Sequence, residues 1–292
     1  MHTVLSKDGT KIAYDRNGRG PALILVAGAF SYRKFPAQVQ LAQLLSSQFT
    51  VYNYDRRGRG DSGDSQPYAV EREIEDLEAV IEAAGGSAYV WGLSSGAVLA
   101  LQAAAGGAAI TKLALHEPPF VVDASDRKPP QDFIPQVTEL IRSGRRAEAI
   151  KYFMTKGMGA PGFVVGMMRM MPKVWANLMA VAHTLPYDAA LLDGYWDGKP
   201  LPVEQWSRVT MPTLVLEGPD SPVSLRHAAG ALAQGLPNAI LLSKKGLGHG
   251  HTKKLDAPKI AAELSAFFAD KAQASGVKRH DLTIQTNRNK KF

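Results

Sequence analysis

Between about residue 20 and residue 117, short continuous apolar runs alternate with segments of helical spacing. That rhythm constrains the fold more than any other feature of this 292-residue chain. Ala22 to Ala27, Thr50 to Asp55, Ala88 to Leu93 and Lys112 to His116 read as strands, preceded by a short one at Thr10 to Tyr14. A run such as Leu23-Ile24-Leu25-Val26, apolar at every residue, predicts a strand covered on both faces, as in a parallel sheet. Lys34 to Leu45, Glu71 to Ala84 and Ser94 to Ala105 read as the intervening helices. In the second, Ile74, Leu77, Val80 and Ile81 share one face and the acids are expected on the other. Alternation of this kind predicts an α/β fold, with helices on both faces of a mostly parallel sheet.

The rhythm breaks from Phe120 to Val209, where helical patches occur without a clear strand. It resumes with a strand at Thr213 to Glu217, a helix at Pro222 to Gln234, a strand at Ala239 to Ser243 and a helix at Pro258 to Asp270. The simplest organisation is one core domain built from residues 1–119 and 210–270, a helical insertion over 120–209 before the penultimate strand, and a C-terminal extension over 271–292.

Composition narrows the function. The net charge of +7 resides mainly in the extension, where six basic residues from Lys271 onward face Asp281 alone. A basic tail without a recognition motif does not make a nucleic-acid binder, and none is expected. No apolar run approaches the ~18–20 residues that span a bilayer, so no membrane partner is expected. The first residues show no signal-peptide pattern, and a cytoplasmic location is the expectation. With no cysteine, disulfides, thiolate metal sites and a cysteine nucleophile are excluded. No metal or cofactor is called for, and the sequence leaves monomer and homodimer equally open.

Gly92-Leu93-Ser94-Ser95-Gly96 carries the chemistry. The G-x-S-x-G pattern lies where the apolar strand Tyr89-Val90-Trp91 gives way to the helix Ala97-Val98-Leu99-Ala100-Leu101. A nucleophile elbow needs that setting: a sharp turn thrusts the serine hydroxyl clear of the sheet, and flanking glycines relieve crowding between strand and helix. The competing interpretation is that Ser94 or Ser95 simply caps the helix. A serine nucleophile needs a base. Of seven histidines, only His249 and His251 lie on the loop after the last strand, in the glycine-rich run from Gly246 to His251, while His280 is terminal. The imidazole needs a carboxylate to orient it. Asp220, in a Gly-Pro-Asp-Ser-Pro turn after one strand, and Glu117, at the end of another, are the candidates.

These features resemble the α/β-hydrolase superfamily over about Thr10 to Ala269. The elbow carries the resemblance, together with Asp55-Arg56-Arg57-Gly58-Arg59-Gly60-Asp61-Ser62, which is similar to that family's D-x-R-G-x-G-x-S segment, and the stretch from His251 to Pro258. The resemblance implies an eight-stranded sheet, a helical cap formed by the insertion, and a triad in the order Ser94, Asp220, His251. Its spacing favours His251 over His249, while some members take the acid from the position of Glu117. It also implies an oxyanion hole formed by the backbone amides of Ser95 and Ala29, although Ala27 stands where that family usually has histidine. The Asp55 to Ser62 loop is expected to be structural.

The expected activity is therefore hydrolysis of a small, apolar carboxylic ester or related acyl bond. Carbon–carbon bond hydrolysis, lactone opening, a lyase or perhydrolase reaction and non-catalytic ligand binding are the alternatives on the same scaffold. Seven of nine methionines fall between Met154 and Met179, interleaved with Phe153, Phe163 and Trp175. They pack the insertion's own core or line an apolar pocket above Ser94.

Overall fold

The computed structural model describes residues 1–248 and 256–269. Its eight strands are β1 (His2–Leu5), β2 (Lys11–Asn17), β3 (Ala22–Val26), β4 (Thr50–Tyr54), β5 (Ala88–Leu93), β6 (Ile110–His116), β7 (Thr213–Glu217) and β8 (Ala239–Ser243). They form one sheet in the order β1-β2-β4-β3-β5-β6-β7-β8. Every neighbouring pair from β4 to β8 is parallel, while β1–β2 and β2–β4 are antiparallel. The expected α/β class and eight-stranded, mostly parallel sheet are therefore what the chain adopts. The first strand lacked a sequence signature: three of its four residues are exposed, so its pattern carries no apolar face.

The helices are α1 (Pro36–Leu45), α2 (Val70–Ala83), α3 (Ser95–Gly106), α4 (Phe133–Arg142), α5 (Arg146–Tyr152), α6 (Gly162–Arg169), α7 (Pro172–Val181), α8 (Leu185–Ala190), α9 (Val223–Gly235) and α10 (Ala257–Ala269). On one face of the sheet, Leu41 and Leu45 of α1 pack with Ile260, Leu264 and Phe268 of α10 against Leu23, Leu25 and Trp91. On the other, α2, α3 and α9 cover Ile24, Val26, Val90 and Leu113. Helix α3 has no polar face. Ala97, Ala100, Ala103 and Ala104 are all buried, so it lies close against the sheet and is itself covered.

Helix α2 departs from the expected polarity. Leu77, Val80 and Ile81 are buried as predicted, but so are Glu73 and Asp76. Each meets a buried arginine: Arg56 donates to both oxygens of Glu73 at 2.6 and 2.7 Å, and Arg57 to both oxygens of Asp76 at 2.7 and 2.8 Å. Two-pronged ion pairs permit carboxylates on a buried face.

Between β6 and β7 the described chain is helical, with α4 to α8 in sequence. Phe133, Val137, Ile150, Phe153, Val165, Leu178, Val181 and Leu185 form a separate apolar cluster there, which Phe30 of the β3–α1 loop joins. The two ends of the segment behave differently. Phe120, Leu191, Leu201, Trp206 and Val209 belong to the apolar cluster over the sheet.

Candidate active site

Three non-glycine residues have positive φ among those described: Phe30 at 61°, Ser94 at 55° and Glu117 at 45°. They follow the C-terminal ends of β3, β5 and β6, strands that lie side by side. Left-handed backbone at a residue with a Cβ costs of order 1–3 kcal/mol, and it persists only where the surroundings enforce it.

Ser94 links β5 to α3 with φ 55° and ψ −124°. The glycines on either side have a steric reason. A Cβ on Gly92 would collide with the Gly96 carbonyl and with the Ala97 Cα at 2.6 Å. A Cβ on Gly96 would collide with the Val26 carbonyl and approach the Ala27 carbonyl to 2.6 Å. The Ser94 N–H donates to the His116 carbonyl at 2.9 Å, and its own carbonyl accepts from Ala97 at 2.9 Å. Its side chain makes no capping bond to the helix. The hydroxyl of Ser95 is not a cap either; it donates to Asp188 Oδ1 at 2.7 Å. The capping interpretation of the two serines is therefore not what the backbone adopts.

Ser94, Ser95 and Ala29 line one cavity of about 590 Å³. Phe120, Val121, Phe153, Leu192, Trp196 and Leu225 supply apolar wall, and Ser125, Asp126, Arg127 and Ser224 supply polar groups. Of the seven clustered methionines, Met158 lines it. Met154 is buried in the insertion's own cluster, Met168 and Met179 pack against that cluster, and Met167, Met170 and Met171 are exposed. The apolar character of the cavity thus comes mainly from aromatic and aliphatic side chains.

The two candidate acids occupy different environments. Glu117 is fully buried. Its Oε1 accepts from the Gly218 N–H at 2.9 Å and from the Ser221 hydroxyl. A Cβ placed on Gly248 would lie 3.7 Å from that same oxygen. Asp220 is exposed, in the turn closed by the Ser221 N–H donating to the Gly218 carbonyl at 2.9 Å. The candidate bases His249 and His251 lie outside the described residues, as does the extension from residue 271. Among the described residues no cluster of histidine, aspartate and glutamate could hold a metal ion, and no helix is long and apolar enough to cross a membrane.

Beside the elbow lies an ion cluster that the sequence did not single out. Asp188 of α8 is fully buried and also lines the cavity. Its Oδ1 accepts from Arg56 at 2.7 Å and its Oδ2 from Arg59 at 2.7 Å. Burial alone would raise the Asp188 carboxyl, but the Arg59 and Arg56 guanidiniums, with the Ser95 hydroxyl, hold it below the ordinary carboxylate value. The arginines were legible in the Asp55 to Ser62 segment. Their partner was not, because Asp188 stands 129 residues from Arg59 inside a helical stretch with no motif.

A family model described as the alpha/beta hydrolase family matches residues 23–260. An alpha/beta hydrolase from Sphaerobacter thermophilus is similar at 48% identity, with a TM-score of 0.83, covering 91% of this chain and all of its own. An enol-lactonase from Burkholderia xenovorans shares the fold at 21% identity and a TM-score of 0.65, over 92% of this chain and all of its own. An esterase from Exiguobacterium antarcticum does so at 17% and 0.66, over 92% of this chain and 99% of its own.

Proposed function

Because the chain belongs to the alpha/beta hydrolase family, we propose that it is a serine hydrolase that cleaves a small, apolar carboxylic ester. The observation that carries this reading is Ser94. It stands at φ 55° between strand and helix, its hydroxyl is not spent on capping, and it lines the cavity. Strain of this kind at a cavity wall is what an exposed nucleophile requires.

In this reading Ser94 Oγ attacks the ester carbonyl while a histidine removes its proton. His251 is the base by its spacing, with His249 the alternative. The proton passes to the leaving alcohol, and water activated by the same imidazole releases the acid. Glu117 is favoured as the orienting acid, a change from the slight preference that the family's order of triad residues gave to Asp220. A buried, doubly hydrogen-bonded carboxylate holds an imidazolium in low dielectric, whereas water screens an exposed one. The Ser95 amide at the start of α3 and the Ala29 amide serve as the oxyanion hole. The helical segment between β6 and β7 acts as a cap, and a cavity of about 590 Å³ suits a drug-sized molecule or smaller.

The test is a panel of chromogenic short, long and aromatic esters, with a lactone included, combined with labelling by an active-site-directed phosphonate. Wild type should be labelled at Ser94 and hydrolyse at least one ester. Ser94→Ala should lose labelling and drop kcat by a factor on the order of 10⁴ or more. A folded wild-type protein that reacts with no phosphonate and no acyl substrate would instead be a binding member of the fold.

A further inference from the structure

We infer that Arg59, anchored by the insertion's Asp188, is a positioning residue that sets the orientation of the Gly28–Ala29 peptide and so forms one half of the oxyanion hole. The inference deepens the serine-hydrolase reading and rests on it.

The argument begins with the peptide group. It is planar and trans, so its carbonyl oxygen and its N–H point in opposite directions. The Ala29 N–H and the Gly28 carbonyl belong to one such group. Whatever fixes the Gly28 oxygen therefore fixes the Ala29 donor. The backbone holds that oxygen weakly, through the Ser31 N–H at 3.3 Å. Arg59 holds it with a charge-assisted bond of 2.7 Å from Nη1. Reversing this peptide would break the Arg59 bond and turn a carbonyl oxygen toward the place where negative charge develops. Ala29 lines the cavity, and its N–H has no acceptor among the described residues.

Arg59 can act as a fixed strut because its own position is over-determined. It is 1% exposed. Its Nε donates to Thr184 Oγ1 at 3.1 Å, its Nη2 to Asp188 Oδ2 at 2.7 Å, and its Nη1 also to the Ser31 carbonyl at 3.2 Å. The other oxygen of Asp188 accepts from the Ser95 hydroxyl at 2.7 Å. One buried carboxylate from the insertion thereby ties together the two segments that carry the proposed oxyanion donors. Arg56 completes the cluster, bound to Asp188 at 2.7 Å and to both oxygens of Glu73. Two guanidiniums face two carboxylates, so the cluster carries little net charge. Its contribution is orientation rather than positive potential. A lysine at residue 59 would keep the charge but not the planar fork that reaches Thr184, Asp188 and Gly28 together.

The measurement compares wild type with Arg59→Lys, using enzyme counted by phosphonate titration so that misfolded molecules drop out. On the best ester, Arg59→Lys should lower kcat by about 10- to 100-fold with KM within about threefold. That is less than the 10²- to 10³-fold seen when an oxyanion donor is removed outright. Affinity for an aryl boronic acid, whose adduct with serine is tetrahedral, should fall in parallel, while the pH–rate midpoints stay in place. Thr184→Val keeps the side-chain volume, removes the Nε acceptor together with the hydroxyl's own bond to the Val181 carbonyl at 2.9 Å, and should lower kcat several-fold in the same pattern. If both variants lose thermal stability but keep wild-type kcat per titrated site and wild-type boronate affinity, the cluster only ties the insertion to the sheet and the inference is overturned. If wild type itself is not labelled at Ser94, the serine-hydrolase reading has failed instead, and the two failures are distinguishable.

Discussion

The ends of β5 and β3 are both left-handed turns lining the same cavity, yet they are held in different ways. At the end of β5 the backbone does the work: Ser94 is locked by its bond to His116 and by two glycines whose missing side chains let strand and helix touch. At the end of β3 the loop makes one long backbone bond to the Gly28 oxygen, and side chains from far along the chain supply the rest. A backbone-enforced turn depends on its own five residues and on the backbone of the neighbouring strands β3 and β6. A side-chain-enforced turn depends on the docking of the whole helical segment, so its geometry can change without the fold changing.

The contrast is sharpest in what a single methyl group should do at β5. In Gly96→Ala the new Cβ would meet two backbone carbonyls, Val26 and Ala27, and backbone cannot rotate aside as a side chain does. The cost should exceed the about 1–3 kcal/mol of ordinary overpacking. Against a total stability of about 5–15 kcal/mol that is a large fraction of what holds the fold. Expression of soluble protein and its urea midpoint check this. A Gly96→Ala protein with wild-type stability would mean that the turn at β5 has slack and that the two strand ends are not different in kind.

The β3 side should respond instead to charge. Asp188→Asn leaves two buried guanidiniums short of a carboxylate, an imbalance worth about 3 kcal/mol. Because the folded Asp188 carboxyl is held below its ordinary value, its stabilising contribution is present above the usual carboxylate range. It is lost as pH falls through that range, since the unfolded chain takes up the proton first. The stability gap between wild type and Asp188→Asn should therefore be widest near neutral pH and narrow on acidification below about pH 4. Urea titrations at several pH values measure it. Asp55 and Asp76 provide the internal contrast. Burial raises both carboxyls despite the bonds each receives from one guanidinium, of Arg33 and of Arg57 respectively. At Asp188 two guanidiniums and the Ser95 hydroxyl outweigh burial, whereas at Asp55 and Asp76 the bonds from one guanidinium each do not.

The same contrast explains how much the sequence disclosed. Apolar runs announced the five central strands, β3 to β7, because burial on both faces leaves its mark along nearly the whole of a strand. The elbow was legible because its steric demands fall on neighbouring positions, Gly92 and Gly96. What escaped was whatever depends on residues distant in the chain. Glu73 and Asp76 looked like the exposed face of α2, because amphipathic spacing cannot reveal that arginines will arrive from the loop after β4. Asp188 had no signal at all. The Asp55 to Ser62 loop reads as structural, which Arg57 with Asp76 illustrates, while Arg56 and Arg59 carry that support on to Ser95 and Gly28 beside the elbow.

That loop also supplies the smallest expected effect, and it separates burial from mere presence of charge. Asp61 accepts from Arg33 and, at 2.9 Å, from Lys34, whose side chain is 60% exposed. Water screens an ion pair of this kind, and holding the long lysine side chain in one geometry has an entropic cost. Lys34→Ala should therefore leave the melting temperature and kcat indistinguishable from wild type, although it removes a cation from the neighbourhood of the same arginine-rich loop. Arg59 carries the same formal charge, but it is enclosed and aims its donors at Gly28 and Asp188. If Lys34→Ala slowed the enzyme while Arg59→Lys, which keeps its charge, did not, the loop would act through its summed positive field. The distinction between a turn held by its own backbone and one held by a buried strut would then lose its basis.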